Sequence, residues 1–238
     1  MAENEDKIQN LITLGTAIGA GFQNCQIYQI GNTYGTLGLN GSLPLDSFTV
    51  PENVYKLIVI AVGGGGSGGN SNGNTQGGGG GGAGGGFILI TPILPFTIIP
   101  LSVGAGGPYL FNGSGAYTGK QSESNGQNTT ILGLTATGGT GVPGQITNGQ
   151  LGGTVTGTTP PGGILIPLYG QPGNSAMQID NGLSQLGGNG GSTIFGGGGL
   201  SQYGTSYPGS PNTGGGGAGG ASGTSGAPGG SGQIIIFW

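Results

Sequence analysis

Apolar residues along this chain come in short dense runs, separated by stretches dominated by glycine. The densest runs are Leu57-Ile58-Val59-Ile60-Ala61-Val62, Phe87-Ile88-Leu89-Ile90, Ile98-Ile99-Pro100-Leu101 and Gln233-Ile234-Ile235-Ile236-Phe237-Trp238. Short runs rich in β-branched residues and bounded by glycine read as strands. Tyr55 to Val62 is apolar almost without a break, which predicts a strand buried on both faces, and Phe87 to Thr91 predicts another. Left exposed, such runs would aggregate. Pro92, Pro95 and Pro100 interrupt the next stretch and imply a turn or a sheet edge. From 104 to 212, glycine-rich turns alternate with short β-prone runs: Thr129 to Leu132, Leu134 to Thr137, Ile164 to Ile166 and Ser192 to Phe195.

Helical spacing occurs only in residues 1–22. Asn4 can cap, Glu5 and Asp6 suit a first turn, and Ile8, Leu11, Ile12 and Ile18 recur near a period of 3.6. Gly15, Gly19 and Gly21 weaken the pattern beyond residue 14. Such a helix would either dock on its own domain or serve as an oligomerisation or anchoring segment. Residues 23–47 read as a β-rich connector with turn signals at Gly31-Asn32 and Asn40-Gly41. The expected division is therefore 1–47, helix and connector, and 48–238, a glycine-rich β domain.

Glycine changes that picture most. The chain has 65 Gly in 238 residues but only 14 Pro. Its tracts are 63–69, 77–86, 138–153, 187–191, 196–199 and 214–232. In the last, Gly214, Gly217, Gly220, Gly223, Gly226, Gly229 and Gly232 fall at every third position. A left-handed extended helix has three residues per turn, so this period lines one edge with no side chains and lets backbones approach. At a rise of about 3.1 Å per residue, 214–232 would span roughly 60 Å and 77–86 roughly 30 Å. Collagen would need far more proline. A flexible linker is disfavoured because buried strands flank the tracts. The expected fold class is all-β: a short-stranded β-sandwich-like core combined with packed left-handed polyglycine-type helices, plus a short N-terminal α-helix.

Charge is nearly absent. Three basic and seven acidic residues give a net charge of −4, with neither Arg nor His. So little positive charge excludes a phosphate-neutralising nucleic-acid interface. Without histidine there is no Ser-His-Asp or Cys-His arrangement, and a glycosidase would require a carboxylate pair such as Glu123 and Asp180 to meet in space. No surroundings in the sequence support that pair, and the chain is read as a non-enzyme without cofactor or metal. Gly119-Lys120 fails as a phosphate loop, with Ser114 and Gln121 at the required positions. Cys25 is alone, so no intrachain disulfide can form. The acidic N-terminus is unlike a secretory leader, and no apolar run reaches membrane-spanning length.

Six segments, in this order, carry a family resemblance: "FTVPENVYKLIVIAVGGGGSGG", "GGGGGGAGGGFILI", "LSVGAGG", "GQNTTILGLTATGGTG", "GGSTIFGGGG" and the closing "GAPGGSGQIIIFW". Over 48–238 the chain resembles the glycine-rich domains of bacteriophage tail-fibre and receptor-binding proteins. That resemblance implies packed polyglycine-type helices on a β-sandwich-like base, with inter-helix loops contacting a host receptor. It implies a place on the virion surface after assembly from the cytoplasm, other virion proteins as partners through residues 1–47, and a host surface protein or glycan as target. Fibre proteins are commonly homotrimers. A purely structural decoration or filament subunit is the alternative. This chain has fewer aromatic and charged residues than those adhesins, and residues 1–47 carry no resemblance. Rigid aromatics on small polar loops make the best anchors, which selects Tyr109, Phe111, Tyr117, Tyr169, Tyr203 and Tyr207 as receptor-binding candidates.

Overall fold

The structure, a computed structural model, describes residues 24–29, 46–71, 77–108, 124–142, 148–180, 184–221 and 223–238. The N-terminal helix expected over 1–22 lies outside the described residues.

Two antiparallel five-stranded sheets form the base. One has the order β1 (Cys25–Gln29), β14 (Gln233–Phe237), β3 (Lys56–Val62), β4 (Gly86–Pro92), β9 (Ile164–Leu168). The other has the order β2 (Asp46–Thr49), β5 (Ile98–Ser102), β6 (Thr129–Ile131), β7 (Leu134–Ala136), β8 (Val155–Gly157). Side chains alternate across a strand, and one face of each sheet meets the other. Leu57, Val59, Ala61, Phe87, Leu89, Ile234 and Ile236 pack against Phe48, Ile99, Leu101, Ile131, Leu134 and Ala136. The continuous apolar run of β3 is thereby explained, since its even-numbered residues Ile58 and Ile60 are buried on the opposite face. The chain closes on itself: β14 lies between β1 and β3, and the backbones of Asn24 and Trp238 exchange two hydrogen bonds. Leu132 and Gly133 both have positive φ, 53° and 75°, the paired left-handed conformation of a tight two-residue hairpin between β6 and β7.

The glycine tracts continue directly from these strands. Tract 63–71 leaves β3 and tract 77–86 returns to β4; 103–107 leaves β5 and 124–128 returns to β6. Tract 137–142 leaves β7, 148–154 returns to β8, 169–176 leaves β9, and 224–232 returns to β14. Further tracts at 187–192, 197–200, 207–210 and 214–221 complete an array standing on one end of the sandwich.

Its hydrogen bonds follow a period of three. Gly63, Gly66 and Gly69 donate to Gly85, Gly82 and Gly79; Gly64 and Ser67 donate to Gln127 and Ser124; Gly65, Gly68 and Ser71 donate to Gly230, Ala227 and Thr224. Tract 63–71 also accepts bonds from Gly107, from Gly139 and Val142, and from Gly217 and Gly220. Among the described residues it thus has six neighbours, three as donor and three as acceptor. Tract 77–86 repeats the scheme, donating to 214–220, 171–174 and 137–140 and accepting from 63–69, 150–153 and 188–191. Each successive donor turns by about a third of a revolution relative to the last, so neighbouring peptides bond to different tracts in turn.

Two expectations need correction. Apart from one helical residue at Ser124 and the start of β4 at Gly86, the described tracts are neither α-helix nor strand; left-handed helices in the form expected are not seen. Nor is 214–232 one long rod. It folds back at Gly223 (φ 71°), where Thr224 N–H bonds to Ala221 O, and Ala227 and Gly230 donate to Ala218 and Gly215. The physical reason is that a three-residue period fixes which face has no side chain but not how far the chain runs. Two short limbs gain the bonds to each other that a 60 Å rod would leave to solvent.

A candidate recognition surface

The tracts place the connecting loops at two ends. At the sandwich end, Gly63 meets Gly85, Gly84 donates to Gly214 O, and Thr137 donates to Thr154 O. At the far end, Gly69 donates to Gly79 O, Gly220 to Gly69 O and Gly188 to Gly78 O. Two hairpins rise there: β10 (Met177–Asp180) with β11 (Ser184–Leu186), and β12 (Ser201–Gln202) with β13 (Thr205–Ser206).

The β12–β13 hairpin is fixed from below. Ser201 N–H donates to Asn189 Oδ1 at 2.9 Å and Ser206 Oγ donates to Gly219 O at 3.0 Å. Its turn is Tyr203-Gly204, with Gly204 at φ 75°, a conformation that glycine adopts without strain. Tyr203 is held out at the tip, 70% exposed, and Tyr207 leaves the hairpin 46% exposed, its N–H donating to Leu200 O. Leu200 and Met177 are also exposed at this end. Those two were missed by sequence reasoning that looked only at aromatic rings; an isolated large apolar residue between glycine-rich tracts would have been the signal.

Tyr169 stands apart from them. It directly follows β9, and Gly170 beside it donates to Gly153 O, which puts Tyr169 at the sandwich end. Tyr109, Phe111 and Tyr117 lie outside the described residues, as does Glu123. Asp180 ends β10 at the far end. Among the described residues, no three His, Cys, Asp or Glu side chains gather as metal ligands, and no helix is long and apolar enough to cross a membrane. Cys25 sits half-buried on edge strand β1, where burial pushes its thiol pKa up and makes it a poor nucleophile.

This geometry is made of small polar turns on a rigid glycine scaffold, with no convergent acid, base or ligand set among the described residues. It can offer shape, a tyrosine hydroxyl and backbone groups to a surface.

A model of the glycine-rich domain matches residues 39–238. The chain belongs to this glycine-rich domain family. The match spans both sheets except β1, together with the described glycine tracts. Comparison with curated proteins finds no match.

Proposed function

We propose that this glycine-rich domain protein is a fibre, spike or tail-tip component of a phage-like particle, displaying a host-recognition surface at the far end of its array. The observation that carries this reading is the separation of roles along one axis. A closed β-sandwich lies at one end and exposed turns, including Tyr203, at the other, with a stiff hydrogen-bonded array between them. Short loops held by a rigid scaffold suit recognition, because little ordering entropy is lost on binding. The target would be a host surface protein or glycan. The remaining expectations, other virion proteins as partners and a homotrimeric fibre, belong to the same proposal.

We also infer that each limb of the array is a left-handed extended segment with about three residues per turn. Its support is the rotation of donors through three neighbours. In addition, among the described tract glycines only Gly214 and Gly223 have φ in the left-handed α region. Crystallographic backbone angles near φ of about −75° and ψ of about +145° would bear this out.

The functional test is binding of the purified full chain to a panel of bacterial strains, with competition against adsorption of the virus carrying it. Specific binding, weakened several-fold by Tyr203→Ala with unchanged melting temperature, is the expected result. Symmetric copies on the particle, no binding and no block of adsorption would favour the purely structural alternative.

A further inference from the structure

The outer face of the β1-β14-β3-β4-β9 sheet, the one turned away from the sandwich core, is apolar across its whole width. Cys25 and Ile27 stand on β1, Ile235 and Phe237 on β14, Ile58 and Ile60 on β3, Ile88 and Ile90 on β4, and Ile164 and Ile166 on β9. Their exposure is uneven. Ile235, Phe237, Ile58 and Ile60 are only 2%, 4%, 5% and 6% exposed; the flanking residues on β1 and β4 are half-buried; Ile164 and Ile166 are 61% and 46% exposed. A bare sheet face would leave the central isoleucines as open as those on β9. Among the described hydrophobic residues packed on this cluster, Phe195 alone comes from outside the sheet, and one ring cannot seal four large side chains.

The sealed strip is two strands wide, and exposure rises on both sides of it. Strands lie about 4.8 Å apart and a helix with its side chains is about 10–12 Å across. A single helix laid along β14 and β3 would leave this footprint.

We propose that residues 1–22 of the same chain form that cover. Their apolar positions Ile8, Leu11 and Ile12 recur at helical spacing, and four charged residues, Glu3, Glu5, Asp6 and Lys7, sit together at the start. A helix over 4–14 would be about 16 Å long, enough to lie over Ile58 and Ile60, which stand roughly 7 Å apart along β3. The connection is short. Asn24 is tied to Trp238 at the end of β14, so residue 23 departs one strand away from the strip. Residues 15–23, with Gly15, Gly19 and Gly21, can reach up to about 30 Å and reverse direction. Residues 1–22 then complete the domain, and the virion-anchoring role expected of 1–47 shifts to other surfaces, including the open β9 margin.

The native Cys25, the only cysteine and itself on the outer face, is a built-in reporter. The full chain is compared with Leu11→Asp/Ile12→Asp and with residues 23–238. The readouts are maleimide labelling of Cys25, uptake of a dye that binds apolar surface, and mass by light scattering. Both altered forms are expected to label roughly ten-fold faster, to take up dye and to self-associate, because the strip is uncovered. If 23–238 fails to fold, the double substitution still decides the matter. Unchanged labelling and dye uptake in that variant would overturn the proposal. So would a full chain that already binds dye, or a full-length dimer that excludes dye and persists in the variant, which would make a second copy the cover.

Discussion

Between the two sheets, Phe87, Leu89, Ile99, Leu101 and Ile131 fill the interior with side chains; in the array beside them, Gly64 to Gly68 and Gly78 to Gly85 fill it with backbone. Both regions are closed to water, but they respond to mutation in opposite senses. The sandwich is stabilised by apolar area, so it is weakened by removing atoms. The array is held by peptide hydrogen bonds of 2.8–2.9 Å from Gly63 to Gly69, each contributing only about 1 kcal/mol net. Ordering a residue costs about 1–2 kcal/mol, and more for glycine. A lone tract would therefore not hold. The array depends on six-fold neighbourhoods and on strands that fix one end of most tracts, and it is weakened by adding atoms.

The largest effect is expected where that inversion is most severe. Gly65 lies in the central tract with backbone on all sides, and a methyl there would collide with the carbonyl of Gly215, closer than the 3.0 Å that real Cβ atoms keep. Neither tract can yield without breaking bonds to its other neighbours. Gly65→Ala should cost more than about 4 kcal/mol, comparable to the worst core truncations. Denaturant unfolding checks it, and a loss under about 1 kcal/mol would mean that the array is loose. Next comes Phe87→Ala, the mirror change, which leaves a cavity at a fully buried ring and should cost about 3–5 kcal/mol. If the two regions are one cooperative unit, hydrogen exchange of the array amides should accelerate in Phe87→Ala as much as that of the strands.

Thr129 tests the seam. Its Oγ1 donates to Val62 O at 2.7 Å and accepts from Gly104 N–H at 2.9 Å, so one hydroxyl joins the end of β3 to the tract leaving β5. Thr129→Val keeps the shape and orphans two buried backbone groups, with an expected loss of about 2 kcal/mol. Thr129→Ser should recover most of it.

How much of this was legible in the sequence follows from the same contrast. Strands β3, β4 and β14 were readable because apolar area leaves a pattern in residue type. The β12–β13 hairpin was not, since Ser201-Gln202 and Thr205-Ser206 carry no apolar alternation and are held by polar bonds to Asn189 and Gly219. In the array the period marks facing only: Gly226, Gly229 and Gly232 turn their bare side to Gly68, Gly65 and Val62, and nothing in that spacing announces the reversal at Gly223. For the candidate surface, Tyr203 could be chosen as an exposed ring on a small turn. That Tyr169 belongs to the opposite end depends on its place after β9, which only the strand order reveals.

The smallest effects separate two reasons for using glycine. Gly133 has open space around its missing side chain but a φ of 75°, whereas Gly197 has open space and no φ in the left-handed region. At Gly133 the constraint is conformational, because an L-residue there meets its own carbonyl, and Gly133→Ala should cost about 1 kcal/mol. At Gly197 neither constraint applies. Gly197→Ala should be neutral within about 0.5 kcal/mol, or slightly stabilising by restricting the unfolded chain. A measured ranking of Gly65, then Gly133, then Gly197 would establish that most tract glycines are required by the backbone opposite them and not by their own φ. A Gly197→Ala loss as large as that of Gly133→Ala would instead mean that glycine is needed throughout for its conformation, and the contrast between side-chain core and backbone core would lose its steric basis.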